Sequence, residues 1–185
     1  NVIRVRTSCE TSRNVDRRAG LLLGRGGEDD RPAMYSFPHR TFQEYLAGCS
    51  LLRQREQARE FTARAAEGTD WALAAQLGWE ELHFNRTGTN YMLDLAYQLC
   101  GTDLARSEQA QRAALWSAQM ARLAGIETVR KDTGNLQGGE TYLERLQARL
   151  QEAAQGGLQP VERADAADIL DDLGYQPGDL YRFLV

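Results

Sequence analysis

The side chains that could do chemistry are few, and their spacing does not indicate catalysis. His39 and His83 are the only histidines, and neither has a second His or Cys at the spacing of a metal ligand. No Gly-x-Ser-x-Gly motif is present to expose a nucleophilic serine. The carboxylate pairs Glu80-Glu81 and Asp171-Asp172 are typical of solvated helix faces, because acid–base work by paired carboxylates needs an enclosing cleft. The sequence therefore predicts a chain that is not an enzyme and binds no metal.

Nucleotide hydrolysis is not expected either. A phosphate-binding loop ends in Gly-Lys-Ser/Thr, because its lysine neutralises the β- and γ-phosphates. Lys131 is the only lysine, and it lies in Val-Arg-Lys-Asp-Thr with no glycine before it. We expect no ATP hydrolysis by these 185 residues.

The most informative segment spans residues 35–47, Tyr-Ser-Phe-Pro-His-Arg-Thr-Phe-Gln-Glu-Tyr-Leu-Ala. A strand-like aromatic alternation leads to Pro38. A helix is predicted to begin at Thr41, since Thr41 and Glu44 have the spacing of a capping box. Four side chains at helical spacing then predict one buried face: Phe42, Tyr45, Leu46 and Cys49.

The order Phe37-x-His39-x-Thr-Phe-Gln-Glu-Tyr-Leu-Ala47 closely resembles the signature at the C-terminal end of the NACHT module. NACHT modules are signalling ATPases related to animal NOD-like receptors and to many bacterial immune and regulatory proteins. Upstream, residues 18–23 (Arg-Ala-Gly-Leu-Leu-Leu) and the Gly- and acid-rich turn after them resemble the preceding part of that module's winged helix. The resemblance covers about residues 17–52.

This resemblance implies a role for His39. In the family, the histidine at this place lies beside the nucleotide, and its contact with the ADP β-phosphate helps to lock the inactive state. A helix N-terminus after His39 would also favour an anion, because its N–H groups and positive dipole end are available. The alternative is that His39 only caps or packs at the junction. ADP or ATP would thus be a cofactor of a longer parent protein, with none bound by this segment alone.

The predicted fold is mainly α-helical. It consists of the remnant of a winged helix with a small β-hairpin at residues 21–37, followed by an antiparallel helical bundle or short irregular α-solenoid. Apolar stripes and glycine stops predict helices over 41–67, from about 70 to 84, and over 90–100, 103–124, 141–155 and 160–173, with a loop at 125–139. The hairpin turn is placed at 24–30, and Trp and Met side chains are assigned to the core.

Three parts are predicted along the chain. Residues 1–48 are the end of a winged helix, 49–155 are a helical arm, and 156–185 are a terminal helix and linker toward a further C-terminal domain. Residues 162–174 are similar to a helix often found before formylglycine-generating-enzyme-like domains in bacterial NACHT proteins. Those domains have a C-type-lectin-like fold, and some display ligand-binding surfaces.

Composition constrains the surroundings. The chain has 185 residues and a formal charge of −4, with no apolar run of the roughly 20 residues that a membrane span needs. Cys9, Cys49 and Cys100 are odd in number and far apart, which favours a reducing cytoplasm over a disulfide framework. Residues 1–27 carry six arginines and two acidic side chains. Without interleaved aromatics, docking against an acidic neighbour domain is favoured over nucleic acid as the use of this charge.

Two functions remain open. The first is a regulatory segment that holds a NACHT ATPase in its nucleotide-bound off state and relays sensing by a downstream domain. The second is a helical interaction platform, without ATPase activity, that presents a lectin-like ligand-binding domain. In both, the expected partners are neighbouring domains of the parent chain and other proteins.

Overall fold

A computed structural model describes residues 23–28, 31–86, 88–101 and 107–175. This part of the chain is mainly helical, as predicted. Contacts divide the chain into two compact units, residues 1–46 and 47–185. The strands are β1 (Leu23–Glu28) and β2 (Arg31–Ser36), and the helices are α1 (Arg40–Leu51), α2 (Gln57–Ala65), α3 (Ala72–Glu81), α4 (Thr89–Leu99), α5 (Glu108–Ala124), α6 (Ile126–Arg130), α7 (Gly139–Gln155) and α8 (Pro160–Asp172). A 3₁₀ turn at Gly68–Trp71 precedes α3, and a π turn at Leu82–Arg86 follows it.

The two strands pair antiparallel, with Leu23 opposite Ser36 and Glu28 opposite Arg31. The strand β1 continues through residues that the sequence assigned to the turn. A ladder of main-chain hydrogen bonds can hold glycines and polar residues in extended backbone, which is why composition alone misplaced the strand end. The predicted hairpin residues Leu21 and Leu22 lie outside the described residues.

The prediction of a single helix over 41–67 is wrong, because a helix break between Leu52 and Gln57 separates α1 from α2. The Gln57 Nε2 donates to the Leu52 carbonyl oxygen across this break, at 2.7 Å. In one straight helix Leu52 and Phe61, nine residues apart, would point about 180° away from each other at 3.6 residues per turn. The break lets both side chains enter the same apolar cluster.

Two apolar clusters fill the unit formed by residues 47–185, and α4 and α5 contribute to both. In α5, Trp116 and Met120 belong to the first cluster, while Leu115 and Ala118 belong to the second. The first cluster is completed by α1, α2 and α3, and the second by α6, α7 and α8. The assignment of the Trp and Met stripe of α5 to the core is confirmed.

The connection from α5 to α7 is more ordered than predicted. The expected loop at 125–139 contains α6, whose Val129 is fully buried in the second cluster. Helix α7 begins at Gly139, two residues before the start predicted at residue 141. Gly138, directly before the helix, packs so closely on Tyr97 that an added Cβ would lie 2.8 Å from the ring.

The last helix follows its prediction closely. Pro160 is its first residue, and the Gln159 N–H donates to Glu162 Oε2 at 3.1 Å, as in a capping box. Gly174 has φ +82°, and the Tyr175 N–H donates back to the Leu170 carbonyl oxygen at 3.0 Å, which is the pattern of a glycine C-cap. No helix in the described ranges has both the length and the apolar character needed to cross a bilayer.

Candidate functional site

His39 lies in the last turn before α1 and is exposed. Its carbonyl oxygen accepts the Phe42 N–H at 3.2 Å, and its ring centroid lies 6.0 Å from that of Phe42 at a tilt of 54°. The imidazole therefore stands beside the first turn of a 12-residue helix, where it is accessible. The position directly before a helix agrees with the prediction, and the contact with a nucleotide stays a prediction.

The predicted capping box at this junction is wrong. The helix begins at Arg40, so Thr41 falls inside its first turn. The Glu44 carboxylate accepts from Arg40 Nε at 2.7 Å, one helical turn away, and is thereby committed to an ion pair. An i,i+4 pair of opposite charge competes for the carboxylate that the box would have required.

The buried face predicted for α1 is also wrong in its first half. Phe42, Tyr45 and Leu46 are 43%, 38% and 50% exposed. Cys49 and Leu51, farther along, are buried as core residues. The helix carries one continuous apolar pattern, but only its second half lies in an apolar cluster.

Gly48 explains where burial begins. Helices α1 and α3 approach each other there, so that a Cβ on Gly48 would overlap the Ala74 carbonyl oxygen and lie 2.8 Å from the Gly78 nitrogen. Only glycine permits this spacing of the two backbones. The Gly48–Gly78 crossing fixes the second half of α1 against α3.

A buried ion pair holds three helices together in the arm. Arg112 of α5 donates from Nε to Glu162 Oε1 at 2.6 Å and from Nη2 to Oε2 at 3.1 Å. Its Nη1 donates to the Ala65 carbonyl oxygen at the end of α2, at 2.7 Å. Sequence reasoning missed this pair, because fifty residues separate the partners and no local spacing marks them.

Two buried tyrosines add a second polar network. The Tyr97 hydroxyl donates to Asp132 Oδ2 at 2.8 Å, and the Tyr142 hydroxyl lies 2.7 Å from Ser117 Oγ, which donates to the Ala96 carbonyl oxygen. Burial, with the Asp132 carboxylate second, raises the pKa of Tyr97 well above its usual range. Burial likewise raises the pKa of Tyr142. Both hydroxyls are therefore structural hydrogen-bonding groups at neutral pH.

An open cleft of about 730 Å³ lies within the 47–185 unit. Its walls come from the start of α2, from one face of α4 and from the start of α7 with the loop before it. Polar and charged side chains dominate the lining, among them Arg55, Glu56, Arg59, Tyr91, Asp94 and Arg145. No local pattern in the sequence indicates this cleft, because its lining residues come from three separate stretches of chain.

The histidine, cysteine and acidic side chains of the described residues form no cluster suited to a metal ion. No group of three His, Cys, Asp or Glu side chains there could hold a metal ion. Cys49 and Cys100 are both buried free thiols, and Cys9 lies outside the described residues. Burial raises the pKa of the Cys100 thiol although the Arg145 guanidinium opposes it, so this thiol is not activated as a nucleophile.

The described residues offer two candidate sites: the exposed His39 before α1 and the arginine-lined cleft of the 47–185 unit. A nucleotide contact at the first stays a prediction. The residue order from Phe37 to Ala47 carries the resemblance on which the first assignment depends. Comparisons with protein-family models, with curated proteins and with solved structures found no match to this chain.

Proposed function

We propose that this chain is the non-catalytic regulatory end of a NACHT-type signalling ATPase. It would comprise the end of the module's winged helix, including the hairpin β1–β2, and the helical arm that follows. In this proposal the chain holds the ADP-bound off state of the parent protein and relays the engagement of a downstream sensor. The observation that carries it is the order of residues 37–47, with His39 exposed directly before α1.

The His39 junction has the chemistry that such a role needs. The first N–H groups of an α-helix have no intrahelical acceptor, and the helix dipole favours negative charge at that end. An exposed imidazole beside this turn adds a further donor to a phosphate oxygen. The ADP phosphate would supply the acceptor, held by the rest of the ATPase.

The exposed apolar side chains of α1 support the same proposal. Phe42, Tyr45 and Leu46 present a patch on the helix that follows His39. An apolar patch on a helix is suited to contact with another part of a longer protein. A contact that forms in one state and is released in the other would couple the helix to the nucleotide.

The arm has the rigidity that a relay requires. The buried Arg112–Glu162 pair joins α2, α5 and α8, and the Gly48–Gly78 crossing fixes α1 to α3. Because the interior is close-packed, a displacement at one end is passed on rather than absorbed. Movement of a domain after α8 would thus reach the second half of α1.

The anchoring of α8 favours a second candidate function. A helical platform could present a C-type-lectin-like domain without any ATPase, and α8 is held by Glu162 and by its buried Ile169 and Leu170. The parent gene separates the two functions. A Gly-Lys-Ser/Thr loop in the few hundred residues before this chain supports the ATPase, and its absence supports the platform.

The decisive experiment compares His39→Ala with His83→Ala in the full-length gene product. His83 is the matched control, because it is the only other histidine and its ring contacts Phe84 and Thr89. Loss of a hydrogen bond to a charged phosphate costs roughly 1.5–3 kcal/mol. We therefore expect ADP affinity, measured by calorimetry, to fall about ten- to hundred-fold in His39→Ala. The affinity of His83→Ala should equal that of the unmodified protein. Unchanged ADP affinity in His39→Ala would show that His39 is structural.

A further inference from the structure

Arg145 carries a positive charge for which the described residues provide no paired carboxylate. It is partly buried on α7, and its guanidinium donates from Nε to the Cys100 carbonyl oxygen at 2.8 Å and from Nη2 to the Gln137 carbonyl oxygen at 3.2 Å. Both acceptors are neutral. Within the described residues no carboxylate oxygen lies within 4.0 Å of this guanidinium.

Two carboxylates line the same cleft, and each accepts from a side chain other than Arg145. Glu56 pairs with Arg59 at 3.0 Å. Asp94 accepts from Asn135 Nδ2 at 2.8 Å. The cleft therefore has three guanidinium groups against two carboxylates, in a chain whose net charge is −4.

A second arginine, Arg55, lies at the cleft wall and has no side-chain partner among the described residues. Arg55 is exposed, and none of the described residues makes a hydrogen bond or an ion pair with its side chain. Tyr91 lines the same space and is 60% exposed as a residue, so its aromatic side chain lies beside the charges. Guanidinium groups are suited to phosphate, because their N–H donors match two oxygens at once.

We propose that this cleft binds a small phosphate-bearing ligand, with Arg145 as the anchor and Arg55 as the wall contact. The two carbonyl contacts hold the guanidinium of Arg145 in place before the ligand arrives, which reduces the ordering that binding must impose. At about 730 Å³ the cleft has the size of a typical small-molecule site. This inference does not depend on the role proposed for His39.

Titration of inorganic pyrophosphate into the 185-residue chain, followed by calorimetry, tests the proposal. We expect Arg145→Gln to weaken binding at least tenfold and Arg55→Ala to weaken it about three- to tenfold. Arg163→Ala, which changes an exposed arginine of α8 that does not line the cleft, should bind as the unmodified chain does. His39→Ala is included to detect any separate anion binding at the start of α1. If Arg145→Gln does not fold, the exposed Arg55 decides the outcome.

Several results would overturn the proposal. No pyrophosphate binding would do so, as would equal binding by all four variants, which indicates general charge attraction. Loss in His39→Ala alone would place the anion at α1 instead of the cleft. A hexaglutamate peptide that binds in an Arg55-dependent manner when pyrophosphate does not would identify the ligand as an acidic protein segment.

Discussion

The two halves of helix α1 have the same apolar spacing and opposite surroundings. Phe42, Tyr45 and Leu46 in the first half are exposed, whereas Cys49 and Leu51 in the second half are buried. The first half thus contributes little to the core, whereas the second half contributes more to it. The same apolar spacing has two outcomes, because α3 approaches the helix closely at Gly48.

The largest effect is expected in the core of the arm. Trp116 of α5 is 2% exposed. Its ring centroid lies 6.4 Å from that of Phe61 and 6.3 Å from that of Trp79. Trp116→Ala should reduce the free energy of unfolding by about 3–5 kcal/mol, because it leaves a large cavity. Urea denaturation with Arg53→Ala, on an exposed position, as the control measures this. A loss below about 1 kcal/mol would contradict the described core.

Loss of the buried Arg112–Glu162 ion pair should lower the free energy of unfolding by nearly as much. Arg112→Ala leaves the Glu162 carboxylate buried without its partner, which typically costs about 3–5 kcal/mol. Arg59→Ala breaks the exposed pair with Glu56 and should change stability by less than about 1 kcal/mol. Urea denaturation of both variants gives their losses in free energy of unfolding, and the two losses are compared. Comparable losses would mean that water reaches Arg112.

The helix crossing gives an intermediate effect. Gly48→Ala puts a methyl group into backbone atoms of α3 that cannot move aside, so it should cost about 1–3 kcal/mol. Gly101→Ala is the matched control, since nothing lies within 4 Å of its added Cβ. Thermal melts of the two variants should differ by several degrees. A Gly48→Ala chain as stable as the control would show that α1 and α3 do not cross at this distance.

The smallest effect should come from the first half of α1. Phe42→Ala removes a ring that is already largely exposed, so we expect a change of about 1 kcal/mol or less in the isolated chain. In the full-length protein the same change should disturb nucleotide retention if the ring contacts the ATPase there. A loss of about 3–5 kcal/mol in the isolated chain would restore the buried face that the sequence predicted.

The sequence predicted the helical class and most helix ends in the arm, because those depend on neighbouring residues. Pro160 and Gly174 bracket α8, and Gly125, at φ +89°, ends α5 as expected. The residue before a helix and the glycine after it act through local backbone geometry, so one sequence suffices to find them. The predicted starts of α1 and α7, at residues 41 and 141, fell one and two residues after the observed starts at Arg40 and Gly139.

The sequence by itself thus determined the helical elements, the absence of a phosphate-binding lysine loop and the residue order around His39. Tertiary structure decided which apolar stripes are buried, where the first helix breaks, and which charges meet. Arg112 and Glu162 are separated by fifty residues, and Arg145, Arg55 and Tyr91 come from three stretches of chain. Such contacts depend on how helices cross in space, at Gly48 above all, and this is fixed by the fit of whole surfaces rather than by the spacing of residues along one element.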